Sequence, residues 1–86
     1  MARVTKVESR ARHRLYLEFT DGTAGEVDLT DRLFGPVFLP LRDEAFFSLV
    51  SIDGFGVPCW PNGADLAPDA LYDLVRAQSN AAPAVD

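Results

Sequence analysis

The stretch from Val57 to Tyr72, VPCWPNGADLAPDALY, constrains the fold more than any other part of this chain. It joins an apolar strand end carrying the only tryptophan, an Asn-Gly turn, and a helix opening on Pro68-Asp69. Pro61-Asn62-Gly63 ends the strand, because proline lacks a backbone donor and Asn-Gly accepts turn conformations. Proline suits the first helical position, where its missing N–H would be unsatisfied in any case. Asp65 and Asp69 fall near the positive end of the helix dipole, and Arg76 near its negative end. Leu71, Leu74 and Val75 share one face at i, i+3 and i+4, which predicts a buried stripe. From Gln78 the chain reads QSNAAPAVD and the pattern lapses, so residues 78–86 are expected to be a disordered tail.

Upstream of that stretch the periodicity changes to two. Leu15, Leu17 and Phe19 alternate with Tyr16 and Glu18, which predicts a half-buried strand over Arg14 to Thr20. Asp21-Gly22 suits a tight type I′ hairpin turn, and Thr23 to Leu29 returns with Val27 and Leu29 on one face. Val4 to Ser9 supplies a first strand, joined through the basic turn Arg10-Ala11-Arg12-His13. Asp28 to Phe34 reads as a short helical turn capped by Asp28 and stopped by Gly35-Pro36. Val37 to Leu41, bracketed by prolines, reads as an extended connector. Asp43 caps a short helix whose apolar face carries Phe46, Phe47 and Val50. Ser51-Ile52 and Val57–Trp60 flank a second hairpin tip, Asp53-Gly54-Phe55-Gly56. The expectation is one α+β domain over residues 1–77 in the order βββ-α-ββ-α.

Size and charge narrow what such a domain can do. A chain of 86 residues makes one domain with a thin core. The net charge of −5 is unevenly spread. Residues 1–14 carry five cations against one carboxylate (+4), and residues 15–86 carry three cations against twelve (−9). An acidic body repels nucleic acid and favours basic protein surfaces. The single cysteine offers no internal disulfide. The charged opening MARVTKVESR lacks the apolar run of a signal peptide, and no apolar run approaches the ~20 residues of a membrane span. A cytoplasmic protein is expected, with no membrane partner.

The chemistry-bearing residues are few. His13 and Cys59 are the candidate base and nucleophile, yet His13 sits in a cationic turn and Cys59 in an apolar strand, where cysteine acts as a small hydrophobe. Asp65, Asp69 and Asp73 recur every four residues and could line a helix face, as a solvated acidic stripe or a patch for a basic partner. No Cys/His spacing suits zinc. Gly54-Phe55-Gly56 runs into a strand instead of a helix, which excludes a dinucleotide fingerprint. No cofactor and no small-molecule substrate are expected. Trp60, Phe34, Phe38 and Phe55 are each a candidate for core or for an interaction surface.

Taken together, FTDG, GEVDLTDRL, VFLPLRDEAFF and CWPNGADLAPDALYDL resemble the small bacterial domain-of-unknown-function family 2442 across Val4 to Val75. The resemblance implies a small α+β domain without an established activity. It also implies frequent pairing with a second small bacterial family of unknown function, number 4160, in arrangements like toxin–antitoxin modules. Some relatives add a C-terminal helix-turn-helix that this sequence lacks, which lowers the expectation of sequence-specific DNA binding.

Three functions follow in order of expectation. The first is a non-enzymatic interaction module, a homodimer or the neutralising partner of a neighbouring protein, using Phe55, Trp60, Asp65, Asp69 and Asp73. The second is an autoregulator binding nucleic acid through Arg10, Arg12 and Arg14 with Arg3 and Lys6. The third is a small enzyme built on Cys59 or the aspartates.

Overall fold

The computed structural model describes residues 3–81, the side chains of 78–81 excepted. Strands β1 (Val4–Arg10), β2 (Arg14–Phe19) and β3 (Ala24–Asp28) form an antiparallel meander in that spatial order. Two 3₁₀ turns, Thr30–Arg32 and Leu39–Arg42, lead to the short helix α1 (Glu44–Phe47). A two-stranded sheet of β4 (Ser51–Ile52) and β5 (Pro58–Cys59) follows, then the long helix α2 (Pro68–Ala81). The fold is α+β, as the patterning implies.

The period-2 strand has the expected consequence. Leu15, Leu17 and Phe19 are buried, with Val27 and Leu29 beside them. The stripe of α2 meets this layer through Leu71 and Val75, and Leu33, Leu41, Phe47 and Trp60 close the other end of the core. Completely burying one such side chain contributes roughly 1.5–3 kcal/mol. A register shift between Val4 and Lys6 keeps Val4 buried opposite Phe19 while Lys6 faces Glu18 on the outer side.

Three hairpin tips share one construction, which corrects the expected type I′ turn. At Asp21-Gly22 only the glycine has positive φ (90°). Its N–H donates to Phe19 O at 3.0 Å, and Phe19 N donates to Thr23 O at 2.8 Å. The loop therefore has three residues, a type I turn closed by a left-handed glycine. Asp53 to Val57 repeats this around Gly56 (φ 77°), and Trp60 to Ala64 around Gly63 (φ 91°). The third repeat also corrects the reading of Pro61-Asn62-Gly63 as a strand terminator. The chain turns there and comes back, with Asp65 bridged to Cys59 and Leu66 N donating to Pro58 O at 3.1 Å.

Two further expectations are overturned. Val37 to Leu41 is not extended. Gly35 turns left-handed (φ 86°), and its carbonyl accepts from both Phe38 N and Leu39 N, which coils the segment into the Leu39–Arg42 turn. Pro40 does not prevent this, because its fixed φ suits the first turn of a helix as well as an extended chain. Helix α2 continues to Ala81, past Gln78, so Arg76 stands mid-helix away from the negative end of the dipole. The remainder of the expected tail, residues 82–86, lies outside the described residues. Among the described residues no helix is long and apolar enough to cross a membrane.

Candidate interaction surface

The loop between Leu33 and Leu41 concentrates exposed apolar side chains. Both ends are anchored, with Leu33 2% and Leu41 0% exposed. Between them Phe34 is 63%, Val37 45% and Leu39 47% exposed, while Phe38 packs against the core. An apolar residue standing alone on a surface needs no explanation, whereas several on one short loop point to a binding surface.

This loop is tied down from outside its own backbone. Arg42 Nε donates to Leu33 O at 2.8 Å, and Asn62 Nδ2 to Val37 O at 2.9 Å. His13 Nε2 donates to Arg42 O at 2.7 Å, and its ring stands edge-on to Phe47 at 5.3 Å. These side chains come from distant parts of the chain. They hold apolar groups in water where hydrophobic collapse alone would not place them. Asp28, Asp31, Arg32 and Phe34 line a shallow groove on its flank. The Asp28 carboxyl is held below its usual range, chiefly by the Thr30 N–H that it accepts at 2.9 Å. The flank is therefore acidic at neutral pH.

Three of the five cations in the N-terminal segment stand beside carboxylates. Lys6 and Arg10 both meet Glu8, at 3.3 and 2.9 Å, and Arg14 meets Glu26 across the sheet at 3.6 Å. Arg10 also lies over the Tyr16 ring, 5.0 Å from its centroid. The Tyr16 hydroxyl donates to Glu18 at 2.7 Å. Its pKa is raised, first by that bond and then by burial and the Glu18 charge. Such exposed pairs add little stability, and two carboxylates offset only part of the charge of five cations. Arg12 and His13 both adopt left-handed backbone conformations (φ 65° and 59°), at a cost of about 1–2 kcal/mol each. The bonds from Leu29 N to His13 O and from Thr30 Oγ1 to Arg12 O hold them there.

The remaining sequence candidates separate. Trp60 is core: it is 3% exposed, its indole N–H donates to Phe47 O at 2.9 Å, and its ring lies 5.7 Å from that of Phe47. It is removed from the interaction surface. Phe55 is 79% exposed at a hairpin tip and stays available. Asp65, Asp69 and Asp73 do not form one helix face, because Asp65 belongs to the bridge with Cys59 and only the other two lie on α2. No group of three or more His, Cys, Asp or Glu side chains among the described residues could hold a metal ion. Cys59 Sγ has Ser51 Oγ as its polar neighbour at 3.8 Å, and among the described residues no hydrogen bond joins it to His13. Val37 and Leu39 were not singled out by sequence, since an apolar loop and an apolar core segment read alike; the proline and glycine density between Leu33 and Leu41 was the available signal.

No curated protein matches this chain, and no solved structure matches it. A family model does, that of "Protein of unknown function (DUF2442)", over residues 4–77. That span takes in the meander, the anchored apolar loop, the hairpins and most of α2. The chain belongs to this family.

Proposed function

We propose that this domain is a non-enzymatic, cytoplasmic interaction module that docks a basic protein partner on the loop Phe34–Leu39. The observation that carries the reading is the clustering of exposed Phe34, Val37 and Leu39 on a loop held by Arg42 and Asn62. Aromatic and aliphatic anchors in a fixed geometry lose little entropy on binding. Charge selects the occupant. The loop is flanked by Asp28, Asp31, Asp43 and Glu44, against Arg32 and Arg42, and the chain carries −5 overall. A second copy would bring like charges together, whereas a basic surface would be steered in. The pairing with a small neighbouring protein that the family resemblance implies supplies a natural candidate.

Co-expression with the product of the adjacent gene tests this, followed by affinity capture and size-exclusion chromatography at low salt. The expected result is co-elution that is lost in the Phe34→Asp/Leu39→Asp double variant. Separate elution of the two proteins at low salt refutes the proposal. A homodimer abolished by the same double variant would replace the foreign partner with a second copy.

A further inference from the structure

We infer that Asn62 is a hydrolytic modification site, kept unreactive by the fold, whose deamidation releases the apolar loop from its clamp. Asn-Gly pairs are chemically labile because no Cβ on the following residue shields its backbone nitrogen. In the reaction the Gly63 nitrogen loses its proton and forms a bond to Asn62 Cγ. The Cγ–Nδ2 bond breaks, and ammonia leaves with that proton and the amide nitrogen. The resulting five-membered imide then adds water at either carbonyl, giving aspartate or isoaspartate at position 62. Water is the only co-reactant.

Every group in this scheme is committed in the folded chain. The Gly63 N–H donates to Trp60 O at 3.0 Å, and Trp60 is fixed in the core. Asn62 Oδ1 accepts from Ala64 N at 3.1 Å, and Nδ2 donates to Val37 O at 2.9 Å. A donor facing one side-chain atom and an acceptor facing the other set the amide's orientation. Attack requires the Trp60–Ala64 turn to open, so the fold suppresses the reaction.

The aspartate product differs from the reactant at one contact. Aspartate retains an oxygen for Ala64 N but has no donor for Val37 O, and sets a carboxylate oxygen against that carbonyl. Isoaspartate also lengthens the backbone inside a three-residue turn. Either product removes the side chain that ties the Trp60–Ala64 hairpin to the loop carrying Phe34, Val37 and Leu39. This matters for partner binding if the loop is the docking surface proposed above, but the chemistry and the release stand without it.

The experiment ages the full chain at mildly alkaline pH, folded and in urea, and quantifies aspartate and isoaspartate at position 62 by peptide mass spectrometry. Conversion in the folded chain is expected to be at least roughly tenfold slower. Amide hydrogen exchange at Phe38, Leu39 and Leu41 is then compared in fresh protein, in protein aged in urea to convert position 62 and refolded, and in Asn62→Asp protein. These amides donate to the carbonyls of Gly35, Gly35 and Phe38. Exchange should accelerate about five- to tenfold in the aged and variant proteins. Equal conversion in the folded and unfolded chain overturns the inference, as does unchanged exchange in aged protein. Neither readout involves a partner, so failure of the docking proposal would leave this result interpretable.

Discussion

Replacing Trp60 with Phe separates a core tryptophan from a surface anchor. The indole N–H bond to Phe47 O is lost, but that carbonyl keeps Val50 N as a donor at 3.3 Å. It is therefore not orphaned, and the loss is that of one ordinary bond, about 1 kcal/mol. The smaller ring leaves a void of about 40 Å³ beside Phe47, worth about 1 kcal/mol at ~24 cal/mol per Å³, with a further contribution from lost transfer energy. The sum is about 2–3 kcal/mol. Against a total of ~5 kcal/mol for so small a domain, that is a large fraction. Urea unfolding followed by far-UV circular dichroism reads it. With a slope near ~1 kcal/mol per M, the midpoint should fall by roughly 2–3 M with the slope unchanged. A midpoint within experimental error of wild type would mean that Trp60 does not bridge α1 to the β5 hairpin, and the packing argument would fail.

Acid titration tests the latch between the first hairpin tip and α2. Tyr72 Oη donates to Asp21 at 2.5 Å, and this bond, followed by those from Thr23, holds the Asp21 carboxyl below its usual range. A lowered carboxyl contributes stability above its unfolded pKa and loses it as pH falls through the folded value. The stability gap between wild type and Tyr72→Phe should therefore be full above about pH 4 and close below it; a gap constant between about pH 7 and pH 2 argues against the latch. Gly56→Ala should destabilise by at least ~1–2 kcal/mol, because φ is +77° and a Cβ would sit 3.2 Å from Arg3 Cβ. Gly54→Ala, with open space around it and no positive φ, should be neutral or stabilising by up to ~1 kcal/mol in the same melts. Fluorescence anisotropy with duplex DNA at ~50 mM salt should show no binding at micromolar protein, because the acidic body outweighs the partly paired N-terminal cations; a steeply salt-dependent signal would overturn that.

Much of the fold was legible because it is written in local chemistry. The alternation of Leu15, Leu17 and Phe19 places a strand, Asp43 caps α1 by accepting from Ala45 N at 3.0 Å, and Pro68 opens α2. The failures share a cause, which is that the deciding partner lies far along the chain or is not a side chain. Asp-Gly at 21–22 is compatible with a two- or a three-residue loop, and the pairing of Phe19 with Thr23 decides between them. Pro40 has the same φ in an extended connector and a 3₁₀ turn; the Gly35 carbonyl, taking two donors, decides that case. Counting charge along residues 1–14 leaves out Glu26, which lies on a different strand and meets Arg14.

The surface was the least legible part. Phe34 and Phe47 are the same residue type in similar apolar company, yet one is 63% exposed and the other 1%. The difference comes from Arg42 and Asn62 fastening the loop by its carbonyls, contacts nine and twenty-five residues apart in sequence.

A hydrogen-exchange footprint of the co-purified complex asks directly where the partner sits. Slowed exchange should be confined to residues 34–42 and their acidic flank around Asp28–Arg32, with the outer sheet face and α2 unchanged. Protection centred on the Arg10–Arg14 turn or on Asp69 and Asp73, with residues 34–42 exchanging as in the free protein, would contradict the docking surface proposed for this domain.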